Sequence, residues 1–362
     1  GLMKHPRFDV VIAGGGPAGL AAAIALLERG LSVAVLNPLA VNPTPRAEML
    51  PPAAEPIIAR LGIADILEHA VALHPALALW STTRPEVLGH ASAPQRPAIS
   101  LDRYALTALL ARRVKDKGGN FHPYRLRGIA GPPLAWRVAT GDGQELRARF
   151  AIDATGRPAH LARRLGAQLC LGAPLVARTF FLPAHPRPQL VIEATASGWW
   201  YALPMRHCGT AGFVSEAGTP PEMPRLLPIP GGCPPRAKTW DARNSRLSPC
   251  AGPGWLAAGD AAAAFDPVAS QGLFNALSGG FFAGNAAADA LAGEHHALSA
   301  YADLVARTAV RTHRTMPHHY ATARGQSGFW HRRRAQTFAA QSEQPTPSPF
   351  PEQGSIIQAN FN

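Results

Sequence analysis

The sequence predicts an α/β protein: a parallel, doubly wound Rossmann-type domain, interrupted by a mostly antiparallel sheet and followed by a C-terminal helical segment. Three observations predict it. A strand–glycine turn–helix–strand unit opens the chain, apolar strand-like runs crowd residues 174–214, and small-residue helices follow residue 276.

The elements follow in order. Residues 8–13 read as a buried parallel strand, 17–29 as a helix with Pro17 in its first turn and Gly30 as its stop, and 31–36 as a second buried strand. A Pro-rich loop covers 37–45, and a helix covers about 53–60, ending before Gly62. Residues 101–117 read as a helix with its apolar face at Leu101, Ala105, Leu109 and Val114. The runs 136–139 and 146–152 flank Gly141-Asp142-Gly143 as a hairpin. Strand-like runs at 175–181, 190–193, 199–203 and 209–214 form the inserted sheet, and 255–258 is a late buried strand. Helices are expected over 276–291 and 298–323, and 341–362 reads as a surface tail.

Composition sets limits. Of 362 residues, 47% are hydrophobic and 16% charged, which suits a large buried interior and excludes a disordered chain. The net charge is +12, but Lys4, Lys115, Lys117 and Lys238 are the only lysines among 35 basic residues. That arginine bias reads as base composition, and with no nucleic-acid module visible, no nucleic-acid partner is expected. Cys170, Cys208, Cys233 and Cys250 are too scattered for a disulfide framework or zinc site, so the cytoplasm is the expected compartment. The histidines at 295, 296, 313, 318 and 319 match no standard ligand spacing, and no metal is expected. The apolar run 10–27 is long enough for a membrane span, but Gly14-Gly15-Gly16-Pro17 would break it, so no membrane association is expected. Gly1-Leu2 ahead of Met3 reads as a tag remnant.

Gly14-x-Gly16-x-x-Gly19 sits between the first strand and the first helix. Gly14 permits the tight turn, Gly16 lets a pyrophosphate approach the backbone, and Gly19 lets helix and strand pack closely. Pro17 and Ala18 complete a helix N-terminus whose free N–H groups favour phosphate. The acidic residue expected at the end of the second strand is replaced by Asn37, which binds a ribose without charge assistance.

Four stretches together resemble the FAD-dependent monooxygenases and halogenases of the para-hydroxybenzoate hydroxylase fold. They are the glycine motif, the segment Arg46-Ala47-Glu48-Met49-Leu50-Pro51-Pro52-Ala53, the segment Asp153-Ala154-Thr155-Gly156-Arg157, and residues 254–280. The resemblance implies FAD as cofactor, with Arg46 and Arg103 near its phosphates and ribityl chain. It assigns Asp153 and Gly156 to the cofactor turn, Gly259 and Asp260 to the ribityl side, and Pro267, Ser270, Gln271 and Gly272 to the pyrimidine end of the isoalloxazine. It implies a division into an FAD-binding domain (1–75, 101–165 and 241–290), a substrate domain (76–100 and 166–240), C-terminal helices (291–340) and the tail.

Within that family, halogenases carry a Trp-x-Trp-x-Ile-Pro stretch and an essential lysine. Here the stretch reads Trp199-Trp200-Tyr201-Ala202-Leu203-Pro204, and no lysine stands between Lys4 and Lys115. Arginine stays protonated and cannot replace an amine nucleophile, which disfavours halogenation. Trp199-Trp200-Tyr201 together with Phe329-Trp330 is most similar to flavoproteins that mature tryptophylquinone cofactors in partner proteins. The resemblance therefore implies an aromatic-ring hydroxylase that uses O2 through a flavin C4a-hydroperoxide, with a small aromatic molecule or a Trp of a peptide or protein as substrate. NAD(P)H or externally reduced flavin would supply electrons, since no second glycine motif exists. A halogenase and a non-oxygenating flavin-binding accessory protein are the alternatives. Trp199 and Tyr201, on one face of a strand, are candidate pocket residues, with core packing as their equal alternative. The run Arg332-Arg333-Arg334 reads as a solvated helix face.

Overall fold

The computed structural model describes residues 5–38, 43–88, 96–184, 187–227, 229 and 237–339; the expected tag remnant and tail lie outside them. The first sheet has a parallel core. Its order is Ala251–Gly252, Trp255–Ala257, Glu145–Asp153, Arg7–Ala13, Val33–Leu36, Asn120–His122; Trp136–Thr140 pairs antiparallel with Glu145–Asp153, and Leu126–Ala130 antiparallel with Trp136–Thr140. Strand Arg7–Ala13 runs parallel to both neighbours and pairs Ala13 with Asp153 and with Leu36. Its inner residues Val10, Val11 and Ile12 are fully buried, as an apolar run between two covered faces requires.

Helices α1 (Pro17–Glu28), α2 (Glu55–Leu61), α3 (Arg103–Asp116), α4 (His160–Arg164), α5 (Gly272–Leu291), α6 (Ala297–Thr322) and α7 (Gly328–Ala339) complete the described elements with several single 3-10 turns. The contact between α1 and α5 is close because both faces are small. A Cβ at Gly280 would meet the Ala18 carbonyl oxygen at 2.2 Å, and one at Gly284 would meet that of Ala22 at 2.4 Å. Both steps advance four residues in the same direction, so the two helices run parallel.

The second sheet orders Lys238–Asp241, Val176–Leu182, Gly209–Ser215, Gly198–Pro204, Gln189–Ala194, His74–Leu79 and Glu86–Leu88. All its pairs are antiparallel except Gln189–Ala194 with His74–Leu79. Side chains alternate across it. Trp199 joins a cluster with Trp80, Tyr320 and Trp330 on one face, while Trp200 packs with Phe180 and Phe213 on the other.

Several expectations need correction. Residues 99–102 are a strand, and α3 starts at Arg103, because Asp102 caps it by accepting from the Tyr104 N–H at 3.2 Å. The buried stripe of α3 is Leu106, Leu110 and Val114, one position on from the expected Ala105 and Leu109. Helix α5 begins four residues earlier than residue 276, at Gly272. Residues 168–171, for which no element was expected, pair with Ser245–Ser248 in a small separate sheet.

Candidate FAD cradle

The parallel strands present their C-terminal ends on one edge of the first sheet, where ligands of doubly wound folds bind. Gly14, at φ +111°, makes the turn after Ala13, and a Cβ there would meet the Ala154 carbonyl oxygen at 2.0 Å. Gly19 is needed for packing, since its Cβ would lie 2.1 Å from the Gly14 oxygen. Gly16 differs: nothing lies within 4 Å of its Cβ position. It is the N-cap of α1 and makes no side-chain cap, so this helix start opens with free N–H groups. Asn37 lies against Gly15, whose Cβ would meet its Cγ at 2.3 Å, so its amide reaches the same turn.

The downstream turn arrives at the same place. Gly259, at φ +63°, sets its Cβ position 2.6 Å from the Ala18 side chain. Asp260 follows and lies 4.0 Å from Arg157. Helix α5 also starts without a side-chain cap, and the Cβ position of Gly272 is open. Given the parallel contacts of Gly280 with Ala18 and of Gly284 with Ala22, α5 begins about 10 Å beyond the start of α1 at ~1.5 Å per residue. Two uncapped N-termini, offset along one direction, fit the anionic pyrophosphate and the electron-rich end of an extended flavin dinucleotide. Pro267 opens the 3-10 turn before α5; Ser270 and Gln271 are exposed at its end, with Ser270 at φ +52°.

Arg46 and Arg103 come together through strand pairing. Ala47 pairs with Asp102, whose carboxylate accepts from the Arg46 N–H at 3.0 Å, and the Arg103 N–H donates to the Arg46 carbonyl at 2.9 Å. Between the two guanidinium groups stands Glu48, which accepts from Arg103 at 2.8 Å and lies 3.6 Å from Arg46. Burial alone would push the Glu48 carboxyl up, but Arg103 and then Arg46 hold it below the ordinary carboxylate value. Asp260 goes the other way: burial raises it, against the pull of Arg157 and Arg103. Tyr201, from the second sheet, feels both Arg46 and Glu48, and burial holds its phenol protonated above the ordinary value. The Tyr201 ring lies over Gly212 of the neighbouring strand, where a Cβ would meet the ring at 2.3 Å. Trp199 shares that sheet face, 5.9 Å from the Tyr201 ring and 5.8 Å from Trp80.

One expected ligand is otherwise engaged. Asp153 is fully buried; Oδ1 accepts from the Thr155 N–H at 2.9 Å and hydroxyl at 2.7 Å, and Oδ2 accepts from the Ala162 N–H at 2.8 Å. Its carboxylate builds the turn that shapes the cradle and does not face it. Gly156, at φ +82°, completes that turn. The arginine run is also no solvated face. Arg333 is 5% exposed, Arg334 donates to the carbonyls of Tyr320, Ala323 and Gly325, and only Arg332 is on the surface, bonded to Glu216. Glu48, Arg157 and Asn244 were not singled out from sequence. Arg157 donates to the carbonyls of Arg243 and Phe265, and Asn244 accepts from the Asp266 N–H at 2.8 Å. Arg157 sits in its quoted motif, a signal that was available; Asn244 has none.

Residues 7–176 match the family described as FAD binding domain. The match covers less than half of the chain, and beyond it the likeness to solved structures is one of fold. Among solved structures, the peptidyl tryptophan dihydroxylase QhpG, essential for tryptophylquinone cofactor biogenesis, superposes with a TM-score of 0.74 at 22% identity, covering 91% of this chain and 79% of that one. The myxobacterial chondrochloren halogenase CndH gives a TM-score of 0.74 at 19% identity, covering 91% and 86%. A lycopene beta cyclase of Synechococcus elongatus is 31% identical over 158 residues, which are 43% of this chain. The match spans about a third (36%) of that relative's own length. No helix among the described residues is long and apolar enough to cross a membrane. Among the same residues, no group of three or more His, Cys, Asp or Glu is placed to hold a metal ion.

Proposed function

We propose that this protein is an FAD-dependent monooxygenase that hydroxylates an aromatic ring, with a Trp side chain of a peptide or partner protein as the favoured substrate. The observation that carries the reading is convergence. The Gly259 turn meets Ala18 at the glycine turn, and the second sheet meets the Arg46–Glu48–Arg103 segment where the Ala47 N–H donates to the Thr210 hydroxyl at 2.9 Å. In this reading the cofactor residues are Gly14, Gly16, Pro17, Ala18, Gly19, Asn37, Arg46, Arg103, Gly259, Asp260, Pro267, Ser270, Gln271 and Gly272. Bound and reduced by NAD(P)H or by free reduced flavin, FAD supplies the activation of O2.

The chain's own residues do the rest. The uncapped start of α1 binds phosphate, and the start of α5 favours negative charge on the reduced ring. Trp80, Trp199 and Trp330 form a buried aromatic core beneath the Tyr201 face of the second sheet, which keeps water from that side. The Tyr201 hydroxyl, which burial keeps protonated, is a donor in the field of the Arg46–Glu48 pair. The distant likeness to QhpG supports a protein-borne Trp.

The test is incubation of reduced, FAD-loaded protein with O2 and a Trp-containing peptide or candidate partner, followed by mass spectrometry. One or two added oxygen atoms on the indole are expected. Consumption of O2 to peroxide alone, with no oxygen in the product, would leave an accessory flavoprotein.

Halogenation is the second reading, and one observation favours it. The Lys238 ammonium lies 4.1 Å from the Trp240 ring, over which Arg46 also sits at 4.4 Å. A lysine missing from residues 5–114 thus reaches the edge of the cradle from the second sheet. Halide-dependent incorporation into the same peptide, lost in Lys238→Met, would favour it.

A further inference from the structure

The turn at residues 266–272, which the FAD reading puts against the flavin ring, is held from behind by groups outside the cradle. Asp266 is 2% exposed. Its Oδ2 accepts from the Tyr320 hydroxyl at 2.7 Å and from Arg333 Nη2 at 2.7 Å. Its Oδ1 accepts from the Val268 N–H at 3.0 Å. A buried carboxylate is tolerated only with such charge-assisted partners. The turn ends at Ser270, whose positive φ a non-glycine residue adopts only when its surroundings enforce it.

Tyr320 and Arg333 are fixed to the second sheet. Tyr320 and Trp330 pack at 6.1 Å, and Trp330 packs on Trp80 at 5.6 Å. The Trp330 indole donates to the Thr195 carbonyl at 2.8 Å, Arg324 to that of Ala194 at 2.9 Å, and the Trp80 indole to that of His319 at 2.8 Å. Helices α6 and α7 therefore grip the aromatic core and the turn at once.

We propose that Tyr320 and Arg333 are positioning residues. Through Asp266 they set the 266–272 turn in the conformation that receives the flavin, and they tie that turn to Trp80 and Trp199. The inference rests on the FAD reading, and its test separates the two.

The apo protein is titrated with FAD alongside Tyr320→Phe, Arg333→Lys and, as control, Arg332→Ala, whose Glu216 partner is a surface contact. Removing one bond to a buried charge is expected to weaken FAD binding about tenfold. The bound flavin's visible band and midpoint potential are expected to shift in Tyr320→Phe and Arg333→Lys and to stay put in Arg332→Ala. Wild-type affinity, band and potential in both variants would overturn the positioning role while leaving the cofactor reading intact. Wild-type protein that takes up no FAD would overturn both. Hydrogen exchange on the unmutated apo protein needs no variant: amides of 266–270 and 320–334 are expected to open together, and independent opening would overturn the inference.

Discussion

The backbone of Ala18 lies directly beneath Gly280, with 2.2 Å between its carbonyl oxygen and the place a Cβ would take. The obstacle is main chain in the first turn of α1, so no rotamer change relieves it. Gly280→Ala is expected to destabilise the apo protein by about 3 kcal/mol, the upper part of the usual cost of overpacking. Urea unfolding of the two proteins checks this. FAD affinity should fall with it, because Ala18 also carries the Gly259 turn.

Gly16 predicts the opposite division of effects. Its Cβ position is open, and its φ of −80° suits any residue. Aspartate is a preferred N-cap, so Gly16→Asp should keep or slightly raise apo stability. The new carboxylate would stand where phosphate belongs, and FAD uptake is expected to fall by about 100-fold or more. Thermal melting paired with an FAD titration reads both.

Asp260 should cost the empty protein stability. Its carboxyl is raised above 3.8 by burial, against Arg157 and Arg103. A raised folded value means that its contribution is fully present below the unfolded value and is lost as pH rises through the folded one. Asp260→Asn should therefore raise the apo Tm at neutral pH, though only slightly because the side chain is 46% exposed to solvent, with the gain disappearing below about pH 4. Melting curves across pH test the sign; a lower Tm at neutral pH would refute it.

Glu48 carries the reverse sign. Its carboxyl is held below 4.5, so the stability it contributes is present above that value and is lost as the pH falls through the lowered folded value. Arg103→Met leaves it with only the longer Arg46 contact and should cost about 2 kcal/mol at neutral pH, less than a wholly buried pair because Arg103 is 32% exposed. The difference between variant and wild type should shrink in acid.

The glycine turn was legible in sequence because each glycine there answers a local steric demand. The strand pairs at Ala47–Leu50 with Ile99–Asp102 were not. Short strands whose partner lies some 50 residues away leave no periodic trace, and Leu101 was drawn into the helix behind it. The start of α5 was missed because Gly272, Leu273 and Phe274 show no capping residue, and an uncapped end is what the proposed cradle uses. The arginine run was misread for a plain reason. Whether a charged side chain turns inward depends on partners far along the chain, such as Asp266 for Arg333.

The cradle draws on both halves of the chain. Strand Trp255–Ala257 completes the parallel sheet beside Glu145–Asp153, and α5 seats on α1 only after that. While the chain is being made, the glycine turn leaves the ribosome long before its counterpart exists. Nucleotide capture is thus deferred until α5 has been made, and a chain that stalls before α5 carries an apolar α1 with nothing to cover it, a natural mark for chaperones or proteases.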